Sequence, residues 1–320
     1  MRWTLVAALL LGLAAPAAAD ATLLTSHLRI HDPWVVADET SRTYWLFSKN
    51  DPAVTGEPRV GIMAYASGDL AHWQRPRLVF ALPQGSWADD GGWAPEVHRW
   101  KGRWYLFATF HNEAAALPSP GKRPLYRRAT LLAVADRIDG PYSLIHKGEP
   151  PTPPGDMTLD GTLHVDAAGK PWMVYAHEWL QQGVGTMEAL PLKDDLSPAG
   201  KPRILFRADA ADWVVGQTQP EGDTGYVTDG PELFRTKTGT LLMLWSSWGK
   251  DGYVQAQARS ASGTLAGPWE QLGPLIERDS GHGMLFRAFD GRLMLVLHRP
   301  FKRALAKFYE MRDAGDRLEV

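Results

Sequence analysis

Short apolar runs alternate along this chain with clusters of Gly, Pro, Asp and Ser, and no sustained helical period appears beyond the first residues. The stretch Val227 to Trp248, VTDGPELFRTKTGTLLMLWSSW, shows the pattern clearly. An acidic residue beside Gly and Pro leads into a short apolar strand. A turn follows at Lys237, Thr238 and Gly239, and a second strand climbs through Leu241 to Trp245. Two apolar runs flanking a Gly-containing turn predict a β-hairpin.

The same plan recurs at residues 31–48 (HDPWVVADETSRTYWLFS), 93–109 (WAPEVHRWKGRWYLFAT), 159–176 (LDGTLHVDAAGKPWMVYA) and 281–298 (GHGMLFRAFDGRLMLVLH). Successive copies are about 50 to 70 residues apart, somewhat above the usual period of propeller blades. Four of the turns carry a Gly; the first uses Glu39, Thr40 and Ser41 instead. Between copies lie further strand-like runs, such as Gly61 to Ser67 and Tyr253 to Arg259, each ending in a turn. Each unit therefore offers about four antiparallel strands, the content of one blade. The prediction is an all-β, single-domain, five-bladed β-propeller. A β-sandwich accounts for many short strands but not for a polar motif at the start of the same strand in every unit. In a propeller the innermost strands line the axis, so five motifs distant in sequence converge on one end of the channel.

The first 19 residues stand apart. Arg2 followed by the apolar run Leu5 to Leu13 and by Ala17, Ala18 and Ala19 has the layout of a cleavable secretory leader, and the run is too short to span a bilayer. The expected division is a leader at 1–19 and a propeller at 20–320, periplasmic or secreted and not inserted in a membrane. The chain contains no Cys, which removes disulfides, thiolate metal sites and cysteine nucleophiles from consideration. A net charge of -2 with dispersed basic residues gives no footprint for nucleic acid. Trp occurs 14 times, a supply suited to stacking on flat faces such as sugar rings or to a core. A monomer is expected.

The residues converging at the strand starts are Asp32, Trp93 with Glu96, Asp160, Asp229 with Glu232, and His282. Any one Asp-Pro or Asp-Gly is an ordinary turn former. It is their common register on five units that points to a site. Several carboxylates without Cys or a Ser-His-Asp pattern suit acid–base chemistry or metal binding. A glycosidase needs one protonated and one ionised carboxyl, and a third nearby would hold the acid's proton by like-charge repulsion.

The order HDPW, WAPEVH, LDGTLHVD, TDGPEL and GHGM resembles glycoside hydrolase family 43, over nearly the whole chain after the leader. That resemblance implies a propeller catalytic domain and an inverting glycosidase acting on α-L-arabinofuranosides or β-D-xylosides of plant poly- or oligosaccharides, with galactans a smaller group. It implies Asp32 as the base that activates water, where His31 replaces the usual Arg, and Asp160 as the carboxylate that tunes the acid. It also implies that His282 holds a structural Ca2+ or other cation on the axis, directly or through water. For the proton donor, Asp229 occupies the place of the usual Glu but is one methylene shorter; Glu232 lies three residues on, and Glu178 is a third candidate. Trp93, Trp34, Trp179 and Trp248 are candidates for a stacking wall, and Glu96, Glu178, Arg299 and Arg287 for polar contacts to the sugar. The basic residues Lys122, Arg123, Arg127 and Arg128 read as a solvated loop. Two other outcomes stay open: a carbohydrate-binding propeller that has lost catalysis, and a retaining furanosidase on the same fold.

Overall fold

The predicted strand pairs are present, and they assemble as five four-stranded antiparallel sheets. The computed structural model describes residues 22–119, 123–218 and 222–320, so the predicted leader lies outside the described residues. From the inside outwards, blade one is Trp34–Asp38, Thr43–Lys49, Gly61–Ser67 and Arg77–Ala81. Blade two is Asp90–Trp100, Arg103–Leu117, Leu125–Ala135 and Ser143–Leu144, and blade three is Thr158–Val165, Pro171–His177, Thr186–Pro191 and Arg203–Arg207. Blade four is Asp229–Arg235, Leu241–Gly249, Gly252–Ser260 and Trp269–Ile276; blade five is Gly281–Arg287, Leu293–Arg299, Leu305–Asp313 and Leu318–Glu319. The arrangement is a five-bladed β-propeller.

The second strand of each blade carries a buried, mainly apolar run because both of its faces are covered by neighbouring blades. In Leu241–Gly249 the first seven residues are all buried. Their alternation survives in the partners. Leu241, Met243 and Trp245 pack with Val174 and Met187 of blade three, while Leu242 and Leu244 pack with Leu295 and Leu297 of blade five. Phe107 and Leu132 meet Met173 and Tyr175 between blades two and three, and Phe47 and Ile62 join Leu106 and Val296 in the layer that unites blades five, one and two. Each such side chain, once buried, contributes about 1.5–3 kcal/mol of transfer free energy.

The hairpin turns explain the Gly pattern. Gly102, Gly169, Gly239 and Gly291 have φ of 83°, 77°, 89° and 88°, where a Cβ is disfavoured. In the first unit, which lacks the Gly, Arg42 takes that conformation at φ 53°. The ring closes where the segment before blade one runs beside the third strand of blade five. Ile30 donates its N–H to the Ala304 carbonyl at 3.1 Å, and Ala306 donates to the Leu28 carbonyl at 3.1 Å.

Candidate active site

Each blade has the same local distortion on or just before its inner strand. Asp32, Ala94, Asp160, Gly230 and His282 have φ of 48°, 43°, 55°, 55° and 54°, and each is followed by Pro or Gly. In blades two to five the ladder slips at this point, between Trp93 and Glu96, Leu159 and Thr162, Asp229 and Glu232, and Gly281 and Met284. A bulge of this kind re-aims side chains at the rim of a sheet. Here the positive φ turns Asp32, Asp160 and His282 towards the axis, and in blades three and five a bulge accompanies it. Asp229 stands one residue ahead of the distorted position, in register with His31 and Trp93, and Gly230 takes the place that Asp occupies in blades one and three.

Gly230 is small for a reason. A Cβ there would lie 2.9 Å from the His282 ring. With that space free, His282 brings Nδ1 to 3.3 Å from Asp32 Oδ1 and 3.9 Å from Asp160 Oδ2. The Gly230 N–H donates to Asp160 Oδ2 at 3.0 Å, and the Asp160 N–H donates to Thr109 Oγ1 at 2.9 Å. His298, at the end of the second strand of blade five, sets Nδ1 3.2 Å from Asp32 Oδ1. Tyr253 is buried, stacks on His298 at 5.5 Å between centroids, and donates its hydroxyl to Asp229 Oδ2 at 2.8 Å.

These residues open onto a cavity of about 560 Å³. Asp32, Asp160, Asp229, His282, Trp93, Glu178, Trp179 and Trp248 all line it. Glu232 does not. Its side chain is buried and accepts the Leu285 N–H at 2.8 Å, because beyond the bulge the strand points it between blades four and five. Glu96, in the equivalent position of blade two, is likewise absent from the lining; it is 1% exposed and bonded to His98 Nε2 at 2.8 Å. Arg299 is directed towards the Tyr309 hydroxyl at 3.5 Å, and Arg287 is exposed near the Gly291 carbonyl. Trp34 is core, its Nε1 donating to the Val97 carbonyl at 3.1 Å.

The solvated-loop reading of the basic residues is corrected by the fold. Arg128 lies on the third strand of blade two, buried, ion-paired with Glu178 and packed over Trp93 at 4.7 Å. Arg127 covers Trp87 at 4.0 Å, and Arg123 covers Trp179 at 4.9 Å and pairs with Asp223 at 2.6 Å. Lys122 lies outside the described residues. Sequence reasoning also passed over Tyr253, His298, Lys49 and Phe301, which complete the wall or its support. One signal was available. His111, His177 and His298 each follow the apolar run of a second strand, and a His closing such a run marks a side chain placed near the cavity.

The carboxyl groups differ in environment. Burial works against ionisation of Asp32, but His282, His298 and His31 around it prevail and hold it well below the usual carboxylate range. Asp160 and Asp229 are pushed well above that range by burial and by the charge of a neighbouring carboxylate, Asp32 for Asp160 and Asp160 for Asp229. Burial also raises Glu178, with the Arg128 guanidinium pulling against it. Two features suit a cation or its water. The Nε2 atoms of His282 and His298 are buried without a hydrogen-bond partner among the described residues, and His31, Asp32 and His298 place ligand atoms within 4.8 Å of one another.

The profile of "Glycosyl hydrolases family 43" matches residues 25–311. The structure of an endo-arabinase from Bacteroides thetaiotaomicron is 35% identical with a TM-score of 0.81, over 91% of this chain and 97% of that one. An α-L-arabinofuranosidase from Lactobacillus brevis shares the fold at 19% identity and a TM-score of 0.68, over 89% of this chain and 91% of that one. The extracellular exo-α-(1→5)-L-arabinofuranosidase of Cellvibrio japonicus is 24% identical over 231 residues, 69% of this chain; the match spans 59% of that relative's length. With the propeller, the repeated strand-start motif and a profile match over most of its length, this chain belongs to glycosyl hydrolase family 43.

Proposed function

We propose that this protein is an exported, inverting glycoside hydrolase that removes terminal α-L-arabinofuranosyl residues from plant-type poly- or oligosaccharides. The observation that carries the mechanism is the divergence between Asp32 and Asp229 in one cavity. Three histidines hold Asp32 ionised, while burial beside Asp160 keeps Asp229 protonated. Paired carboxyls pushed apart in this way take the roles of base and acid. Asp32 removes a proton from water as the water attacks the anomeric carbon. Asp229 gives its proton to the departing glycosidic oxygen, in a single displacement through an oxocarbenium-like transition state. Tyr253 aims the shorter Asp229 side chain by bonding one oxygen and leaving the other for the leaving group. Asp160 sustains the protonated state of Asp229.

The sugar assignment is supported by two relatives, an exo-arabinofuranosidase and an endo-arabinase. A β-D-xylosidase or a galactan-active enzyme is the alternative on the same fold. Export is supported by the layout of the first 19 residues and by the extracellular relative. A cation at the axis would be held through His282 Nε2, mainly with water as its other ligands, since hard cations prefer oxygen. It would supply positive charge beneath the carboxylates.

Asp32→Asn should lower kcat on aryl arabinofuranosides by about 10²–10⁴-fold. Asp229→Asn should do the same for poor leaving groups and much less for dinitrophenyl glycosides, which depart without a proton. Full activity of Asp32→Asn, or an Asp229→Asn loss independent of the leaving group, would overturn the assignment.

A further inference from the structure

The displacement leaves one pair of charges on the cavity wall without a task. Arg128 and Glu178 are 6% and 4% exposed, bonded to each other, and both line the cavity. The pair is built into place from both sides. Arg128 is held between Trp93, at 4.7 Å, and Tyr126, at 4.9 Å, and also donates to the Tyr126 hydroxyl. Glu178 begins the short turn Trp179–Gln182, and its N–H is fixed to the Met157 carbonyl at 2.8 Å. Its neighbour His177 is clamped between Glu188 at 3.0 Å and Gln181 at 2.8 Å. Yet the pair is incompletely satisfied, because the buried Nε of Arg128 has no acceptor among the described residues.

Two buried charges cost several kcal/mol to desolvate, and well-packed apolar residues often replace such a pair at no loss of stability. A pair held at a cavity wall therefore calls for a reason beyond the fold. A carboxylate beside a guanidinium offers acceptors next to donors. Adjacent hydroxyls of a sugar, each able both to donate and to accept, are the complementary pattern.

We propose that Arg128 and Glu178 read two neighbouring hydroxyls of the bound sugar, Glu178 accepting from one and Arg128 donating to the other. They form the specificity-determining element for a vicinal diol. This rests on the arabinofuranosyl reading above. A sugar lacking either hydroxyl leaves a buried charged group short of a partner, which a site of this kind rejects strongly.

The test measures binding of methyl α-L-arabinofuranoside and its 2-deoxy and 3-deoxy forms by calorimetry. Wild type should bind the parent about 10- to 100-fold better than either deoxy sugar, the worth of one hydrogen bond to a charged group. The variant Arg128→Met/Glu178→Met, which removes both charges together so that neither is stranded, should bind all three alike and weakly. Deoxy sugars that bind wild type as well as the parent does, or a double variant that keeps its preference, would overturn the inference alone. No binding of the parent would overturn the arabinofuranosyl reading and this inference with it. Kinetics separate the remaining possibility. Glu178→Gln should lose activity equally on good and poor leaving groups, and a loss confined to poor ones would make Glu178 the proton donor instead.

Discussion

Asp32 and Asp229 carry the same side chain and differ only in what surrounds them. The active form needs Asp32 ionised and Asp229 protonated, so the pH dependence follows from the two directions. Activity should persist into acid below the ordinary carboxylate range, and fall on the alkaline side as Asp229 gives up its proton. As pH rises, ionised Asp160 opposes loss of the Asp229 proton; Asp160→Asn keeps an oxygen for the Gly230 N–H but cannot ionise, so it should move the alkaline limb of kcat/KM to lower pH, and an unmoved limb would remove Asp160 from its tuning role. Glu232 permits a prediction of the opposite kind. Its folded-state pKa is raised by burial, so its protonated form is favoured in the fold. A carboxyl raised in the folded state contributes stability that is present below its unfolded pKa and is lost as pH rises towards the folded value. Glu232→Gln can still accept the Leu285 N–H, at 2.8 Å in the parent. It should therefore retain activity and gain stability relative to the parent at pH 8 more than at pH 4, read by denaturant melts. Loss of turnover would return Glu232 to the candidates for proton donor.

At the scale of the element, the left-handed residue at the head of the inner strand, joined by a bulge in blades two to five, is the device that makes the site. Non-Gly residues at positive φ cost about 1–3 kcal/mol each, and such strain collects at functional positions. Asp32, Asp160 and His282 all bear it. Gly230→Ala should be doubly harmful, since its φ of 55° disfavours a side chain and the added Cβ would press on the His282 ring at 2.9 Å. A stability loss of about 1–3 kcal/mol and a fall in kcat with little change in KM are expected, because His282 would be pushed from Asp32. Wild-type kcat in this variant would detach His282 from the base. The motif residues were legible in sequence, but the bulge was not. Local propensity does not distinguish an Asp that caps a turn from one turned towards an axis, and the slip that separates Asp229 from Glu232 depends on pairing with the next strand.

Across the whole molecule, stability resides in layers between blades, and the ring holds only if its last blade meets its first. Leu28 and Ile30 are each 2% exposed where the chain before blade one joins blade five. Leu28→Ala should cost about 2–5 kcal/mol as a cavity at this closure, measured by chemical denaturation. A loss below 1 kcal/mol would show that the closure contributes little.

The sequence by itself determined the number of units, their strand content and the residues at each strand start. These are local properties: a hairpin needs only two apolar runs and a turn, and repetition multiplies the signal. It placed Asp32, Asp160, Asp229 and His282 together through the topology of a propeller. Only the tertiary structure decided which of the other polar residues share that space. Arg128 is adjacent in sequence to Arg127 yet faces Glu178, because it falls on the other side of its strand and next to a neighbouring blade. Tyr253, on the third strand of blade four, and His298, on the second strand of blade five, meet only when those blades pack. Glu232 and Glu96 lie three residues beyond Asp229 and Trp93 on the same inner strands, but past the bulge they leave the cavity lining. Burial and charge, set by contacts across the ring, then give identical carboxyls opposite protonation.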